Sequence, residues 1–144
     1  MAIKKQTFPD WTYLGESITK IEDFPEGTIG FVYKLTLSDG SYYVGCKQII
    51  SIRGAQSNWK VYSGSSKTLS EELKSNKVTV ILREILDFAI SKQQLLYLET
   101  SNILCNHVLE DKNSRNAWIS AKIYKSNLID PKPMKITQKR KKKK

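Results

Sequence analysis

The stretch Gly30-Phe31-Val32-Tyr33-Lys34-Leu35-Thr36-Leu37-Ser38-Asp39-Gly40-Ser41-Tyr42-Tyr43-Val44-Gly45 constrains the fold more than any other. Two runs rich in β-branched and aromatic residues flank Asp39-Gly40, and glycine accepts the positive φ that a tight reversal needs. The stretch therefore reads as a β-hairpin over residues 29–37 and 41–47, expected at the centre of a sheet. Two registers are open. A two-residue turn at Asp39-Gly40 sets Ser38 against Ser41 and sends Tyr33 and Tyr43 to opposite faces. A three-residue loop, Ser38-Asp39-Gly40, with Gly40 left-handed in a bulge, sets Leu37 against Ser41 and Leu35 against Tyr43, and both tyrosines then share a face.

Around the hairpin the chain supplies a third strand and helices. Residues 1–28 are punctuated by Pro9, Gly15, Pro25 and Gly27 too often for a long helix, yet carry Trp11, Tyr13, Leu14 and Phe24, so they read as an ordered arm packed on the sheet. Ser66 or Thr68 caps a short helix through Leu73, because a hydroxyl there accepts from a free amide. The run Val78 to Leu86 is compact and β-branched, which predicts a third strand. Ser91 opens a helix to about Val108, and Asn116-Ala117-Trp118-Ile119 returns to the core after a polar loop. The expected class is α+β: a small antiparallel three-stranded sheet with a central hairpin and flanking helices, in one domain over 29–125.

Charge divides the chain. The net charge is +10, but Lys132, Lys135, Lys139, Arg140 and Lys141 to Lys144 put eight positive charges and no acid after Pro131, leaving the preceding residues near neutrality. A run of like charges repels itself and stays solvated, so residues 126–144 are expected to be a disordered basic tail, available to a polyanion or acting as a solubilising end. No apolar run reaches the roughly 18 residues of a membrane helix and no signal peptide opens the chain, which predicts a cytoplasmic protein without membrane contact. Cys46 and Cys105 lack metal-ligand spacing and read as free thiols.

Glu99 is the most informative single position. On a helical wheel it falls roughly 40° from Leu95, within the apolar arc that also holds Leu96, Leu98 and Ile103. Burying a carboxylate requires a cation, a metal or strong hydrogen bonds. Two readings follow: a rim glutamate paired with a lysine, or one acid offered to a hard divalent ion whose other ligands are water and phosphate oxygens.

These elements resemble the paired motif of the GIY-YIG nucleases. The matching residues are Gly-Phe-Val-Tyr ending at Tyr33, Tyr-Tyr-Val-Gly containing Tyr43, Tyr-Leu-Glu-Thr-Ser-Asn-Ile with Glu99, and Ser-Arg-Asn-Ala-Trp-Ile with Asn116. Phe-Pro-Glu-Gly-Thr-Ile-Gly-Phe-Val-Tyr and Trp-Lys-Val-Tyr-Ser-Gly-Ser-Ser are similar to the phage-encoded Seg-type homing nucleases of T4-like phages, over about residues 11–119. The resemblance implies a DNA endonuclease dependent on Mg2+ or Mn2+ and acting in the host cytoplasm if phage-encoded. It implies Glu99 as metal ligand, Tyr33 as the group that activates or orients the attacking water with Tyr43 supporting it, and Arg53 and Asn116 as the remaining catalytic residues. Arg53 matches the family arginine by distance from Gly45, Gly54 weakens a helix there, and Lys60 and Tyr62 compete for its role. Ser114 and Arg115 stand where most relatives carry tyrosines. Contacts to DNA are expected from Lys47, Lys60, Tyr62, Lys139 and Arg140. Both tyrosines at one site require the bulged register. The second reading of the chain is a nucleic-acid-binding domain that keeps this fold without turnover. No protein partner is expected.

Overall fold

The computed structural model describes residues 8–64, 66–119, 122, 124–129 and 133. Five strands form one sheet: β1 (Trp11–Tyr13), β2 (Glu16–Ile18), β3 (Gly30–Leu37), β4 (Tyr42–Gln48) and β5 (Val80–Ala89), in the order β2-β1-β5-β3-β4. The helices are α1 (Lys67–Lys74), α2 (Lys92–Cys105) and the single turn α3 (Lys125–Ile129). Short 3-10 turns occupy Ile21–Asp23, Trp59–Val61 and Val108–Glu110. Among the described residues no helix is long and apolar enough to cross a membrane. The turn α3 falls inside the stretch expected to be tail; Lys139 and Arg140 lie outside the described residues.

The α+β class holds, with two corrections to the expected sheet. It has five strands instead of three and is mixed, since β1 runs parallel to β5 while the remaining pairs are antiparallel. The β3–β4 hairpin is also not central: β5 lies in the middle and β4 at one edge. The cause is the length of β5, ten residues with a hydrogen-bonding edge on each side, one taken by β3 and the other by the arm. The arm could not be read as strands because its turn is unusual. Leu14 (φ 49°) and Gly15 (φ 86°) both sit in the left-handed region, as in a type I′ hairpin, and leucine rarely adopts it.

The β3–β4 register is the bulged one. Leu35 pairs with Tyr43 and Tyr33 with Gly45. The Leu37 amide donates to the Ser41 carbonyl (2.9 Å), and Gly40 has φ 85°. The Asp39 carboxylate accepts from the Ser41 amide at 2.9 Å, which fixes the loop.

Alternation along β3 then sorts two cores. Phe31, Tyr33, Leu35 and Leu37 point to one face, where Trp11, Trp59, Leu69 and Leu73 cover them. Val32 points to the other, with Val44, Leu95, Ile103 and Val108. Helix α1 belongs to the first layer and α2 to the second. Ser66 caps α1 by accepting from the Leu69 amide, and Ser91 caps α2 by accepting from the Gln94 amide. Strand β4 forms one edge of the sheet, and the segment around Ser114 lies along its outer side.

Candidate active site

Tyr33 and Tyr43 share a face, with ring centroids 6.3 Å apart. Tyr33 is fully buried, packed against Trp11 (5.3 Å) and edge-on to Tyr62 (5.9 Å). Its hydroxyl is sealed from solvent and makes no hydrogen bond of normal geometry. Burial above all, and then the neighbouring Tyr62 and Tyr43, push this phenol well above its ordinary range. It is therefore a neutral donor at physiological pH. Lys47 lies with its Nζ 4.2 Å from the Tyr62 ring centroid, and burial lowers its pKa.

Tyr43 is only half-buried and opens onto a cleft of about 450 Å³ along the β4 edge. Lys67, Glu99, Asn116 and Trp118 also line it. Tyr43 approaches from the first layer and Glu99, on α2, from the second, so the cleft joins the two faces of the sheet. Glu99 is half-buried, and no arginine or lysine pairs with it among the described residues. The Cys46 thiol hydrogen-bonds it; burial first, and then that carboxylate, push the thiol pKa far up, so Cys46 stays protonated. The donor available to a cation here is thus carboxylate oxygen. Among the described residues no three His, Cys, Asp or Glu side chains cluster to cage a metal. One carboxylate on an open cleft does fit a hard ion that keeps several waters and takes phosphate oxygens as further ligands.

Asn116 acts on the backbone of the edge strand. Its Nδ2 donates to the Val44 carbonyl (2.7 Å) and its Oδ1 accepts from the Val44 amide (2.9 Å), as another strand would. The Arg115 amide donates to the Tyr42 carbonyl (2.8 Å), and the Tyr42 amide to the Asn113 carbonyl (3.1 Å). The Arg115 side chain then clasps the segment down: Nη2 to Asp39 (2.9 Å), Nε to the Ser41 hydroxyl (2.7 Å), and Nη1 to Glu72 on α1. Tyr42 donates to Asp111 at 2.7 Å. The residues standing where relatives have tyrosines therefore build a polar clasp, which holds the segment by ion pairs.

The expected cations are elsewhere. Arg53 is exposed in a tight turn, where the Gly54 amide donates to the Ser51 carbonyl (2.9 Å), and no helix runs through residues 49–58. Lys60 lies over Trp59. Neither lines the cleft, nor does Tyr62. Two basic residues that the motifs do not mark take buried or cleft positions. Lys67 follows the cap Ser66, a place that cap already marks. Arg83 is buried on β5, 4.4 Å from the Trp11 ring centroid, with Nε donating to the Pro9 carbonyl (2.6 Å) and Nη1 to the Tyr62 carbonyl (3.1 Å). Burial lowers its pKa to about 10. A charge within the apolar run Val78 to Leu86 was the available signal, of the same kind that singled out Glu99.

A family model described as "Putative endonuclease segE, GIY-YIG domain" matches residues 11–123. Intron-associated endonuclease 2 of Enterobacteria phage T4 is 37% identical over 60 residues, 42% of this chain. The match spans only 23% of that relative's length. No solved structure matches the chain.

Proposed function

Taking as premise that the chain belongs to the SegE-type GIY-YIG endonuclease family, we propose that it hydrolyses DNA phosphodiester bonds at the cleft along β4 with the help of one divalent ion. The observation that carries this reading is that Tyr43 and Glu99, from opposite layers of the sheet, line one cleft together with Asn116.

Glu99 holds the ion, Mg2+ or Mn2+, by a single carboxylate. Bound there, such an ion supplies Lewis-acid polarisation of the phosphoryl oxygen and of the leaving oxygen. Tyr43 orients the attacking water at the cleft wall, and Tyr33 supports it from behind as a neutral phenol, since its burial disfavours the phenolate a general base would need. Asn116 contributes by keeping the β4 backbone, and so Tyr43, in place. Lys47 and Tyr62 form a stacked pair beside the tyrosines; with Arg53 and Lys60 they contact DNA outside the reacting centre, and Lys139 and Arg140 add phosphate contacts without sequence preference.

Supercoiled plasmid incubated with the purified chain and Mg2+ or Mn2+ provides the test. Nicking that stops with chelator, returns with added metal and is absent in Glu99→Gln supports the enzyme. Plasmid shifted in a gel but left uncut by the wild-type chain overturns it in favour of a binding domain.

A further inference from the structure

Phosphoryl transfer develops negative charge that a fixed cation in the cleft must meet. The described residues lining the cleft include two cations, Arg115 and Lys67. Arg115 is committed: Asp39, Glu72 and Ser41 take its donors, and two carboxylates offset its charge. Lys67 is different. It is exposed, it forms no ion pair among the described residues, and it lines the same cleft as Tyr43 and Glu99. Its place is fixed by local structure, because Ser66 caps α1 and the buried Leu69 and Leu73 anchor that helix to the first layer. Residue 67 thus emerges at the cleft from the side opposite α2 and Glu99.

We propose that Lys67 is the cation that contacts the scissile phosphate, in the role the resemblance gave to Arg53. This rests on the nuclease reading above. The two rivals for that role are displaced for separate reasons: Arg53 because the chain after β4 forms an exposed turn instead of a helix, and Lys60 because its ammonium lies over Trp59. A cation on the α1 side and a carboxylate on the α2 side give the cleft two poles, one suited to phosphate oxygens and the other to a divalent ion. Lysine serves here as a compact point charge, and needs no bidentate geometry.

The test compares Lys67→Ala, Lys67→Arg, Arg53→Ala and Lys74→Ala, the last removing the same charge from the far end of α1. Single-turnover plasmid cleavage is measured at saturating protein with Mg2+, beside thermal unfolding of each variant. Lys67→Ala is expected to slow cleavage about 100-fold with an unchanged unfolding midpoint, Lys67→Arg to recover most of the loss, and Lys74→Ala to cut at the wild-type rate. Arg53→Ala is expected to weaken DNA binding more than turnover. Wild-type cutting by Lys67→Ala, or a larger loss of turnover in Arg53→Ala, overturns the assignment. Failure of the wild-type chain to cut overturns the nuclease reading separately. Lys67 is then judged by duplex binding: a slope of log affinity against log salt shallower by about 0.9 than that of Lys74→Ala sustains a phosphate contact, and equal slopes remove it.

Discussion

Tyr33 and Gly45 face each other across the β3–β4 ladder, and the phenol ring occupies the space a β-carbon on residue 45 would need. Such a carbon would stand 2.7 Å from Cζ of Tyr33 and 3.0 Å from Cε1 of Tyr43. The two halves of the motif are thus one packing relation: the tyrosine of the first lies over the glycine of the second. Gly45→Ala is expected to cost about 1–3 kcal/mol, since Tyr33 is held by Trp11 and Tyr62 and has no open space to move into. Urea unfolding of the variant measures the loss, and an unchanged midpoint would refute the packing account.

The Tyr33 hydroxyl leads to an opposite expectation. A buried hydroxyl without a partner lowers stability, so deleting it relieves a desolvation penalty of about 1–3 kcal/mol at most. Tyr33→Phe is expected to unfold at the same or a higher urea concentration than wild type. If the hydroxyl serves the water-orienting pair, plasmid nicking falls in the same variant. Loss of stability would show that the hydroxyl has a partner in solution.

The hairpin, its register alternatives, the two N-caps and the half-buried Glu99 were all legible because each follows from local rules: turn glycines, hydroxyl caps and helical periodicity. What was hidden depends on pairing between distant segments. Strands β1 and β2 have three residues each and exist because β5 offers an edge; nothing in Trp11-Thr12-Tyr13 declares that partner. The cleft was hidden for the same reason. Distance along the chain from Gly45 favoured Arg53, whereas the fold brings Lys67 to the cleft from the α1 side. Asn116 was found through family order alone, and its bonds to Val44 give it a structural task that composition does not indicate.

The clasp at Arg115 predicts how the cleft responds to acid. The hydrogen bonds from the Ser41 hydroxyl and amide, with Arg115 beside them, hold the Asp39 carboxyl below its usual value of 3.8. A carboxylate depressed in the folded state stabilises it above the unfolded value, and that contribution is lost as pH falls through the folded value. The thermal midpoint of the wild-type chain is expected to decline below pH 3.8 in part through Asp39. Asp39→Asn removes this component: it lowers the midpoint near neutrality and flattens the acid limb. Parallel wild-type and variant profiles would exclude Asp39 from the response.

Asn116 supplies the remaining prediction. Its amide satisfies both backbone groups of Val44 on an edge strand that otherwise presents them to solvent. Asn116→Ala removes two hydrogen bonds at a part-buried position, each contributing about 0.5–1.5 kcal/mol, so a loss of about 1–3 kcal/mol is expected. Asn116→Asp is more discriminating, because a carboxylate still accepts from the Val44 amide but meets the Val44 carbonyl without a donor. Hydrogen exchange at Val44 reads this directly. Protection is expected to disappear in the alanine variant and to persist in part in the aspartate variant, while exchange at Tyr33 on the inner strand changes little. If cleavage falls in proportion to Val44 protection across the two variants, Asn116 acts by positioning the strand that carries Tyr43; complete loss of cleavage in the aspartate variant with Val44 still protected would instead mean that its amide touches the substrate.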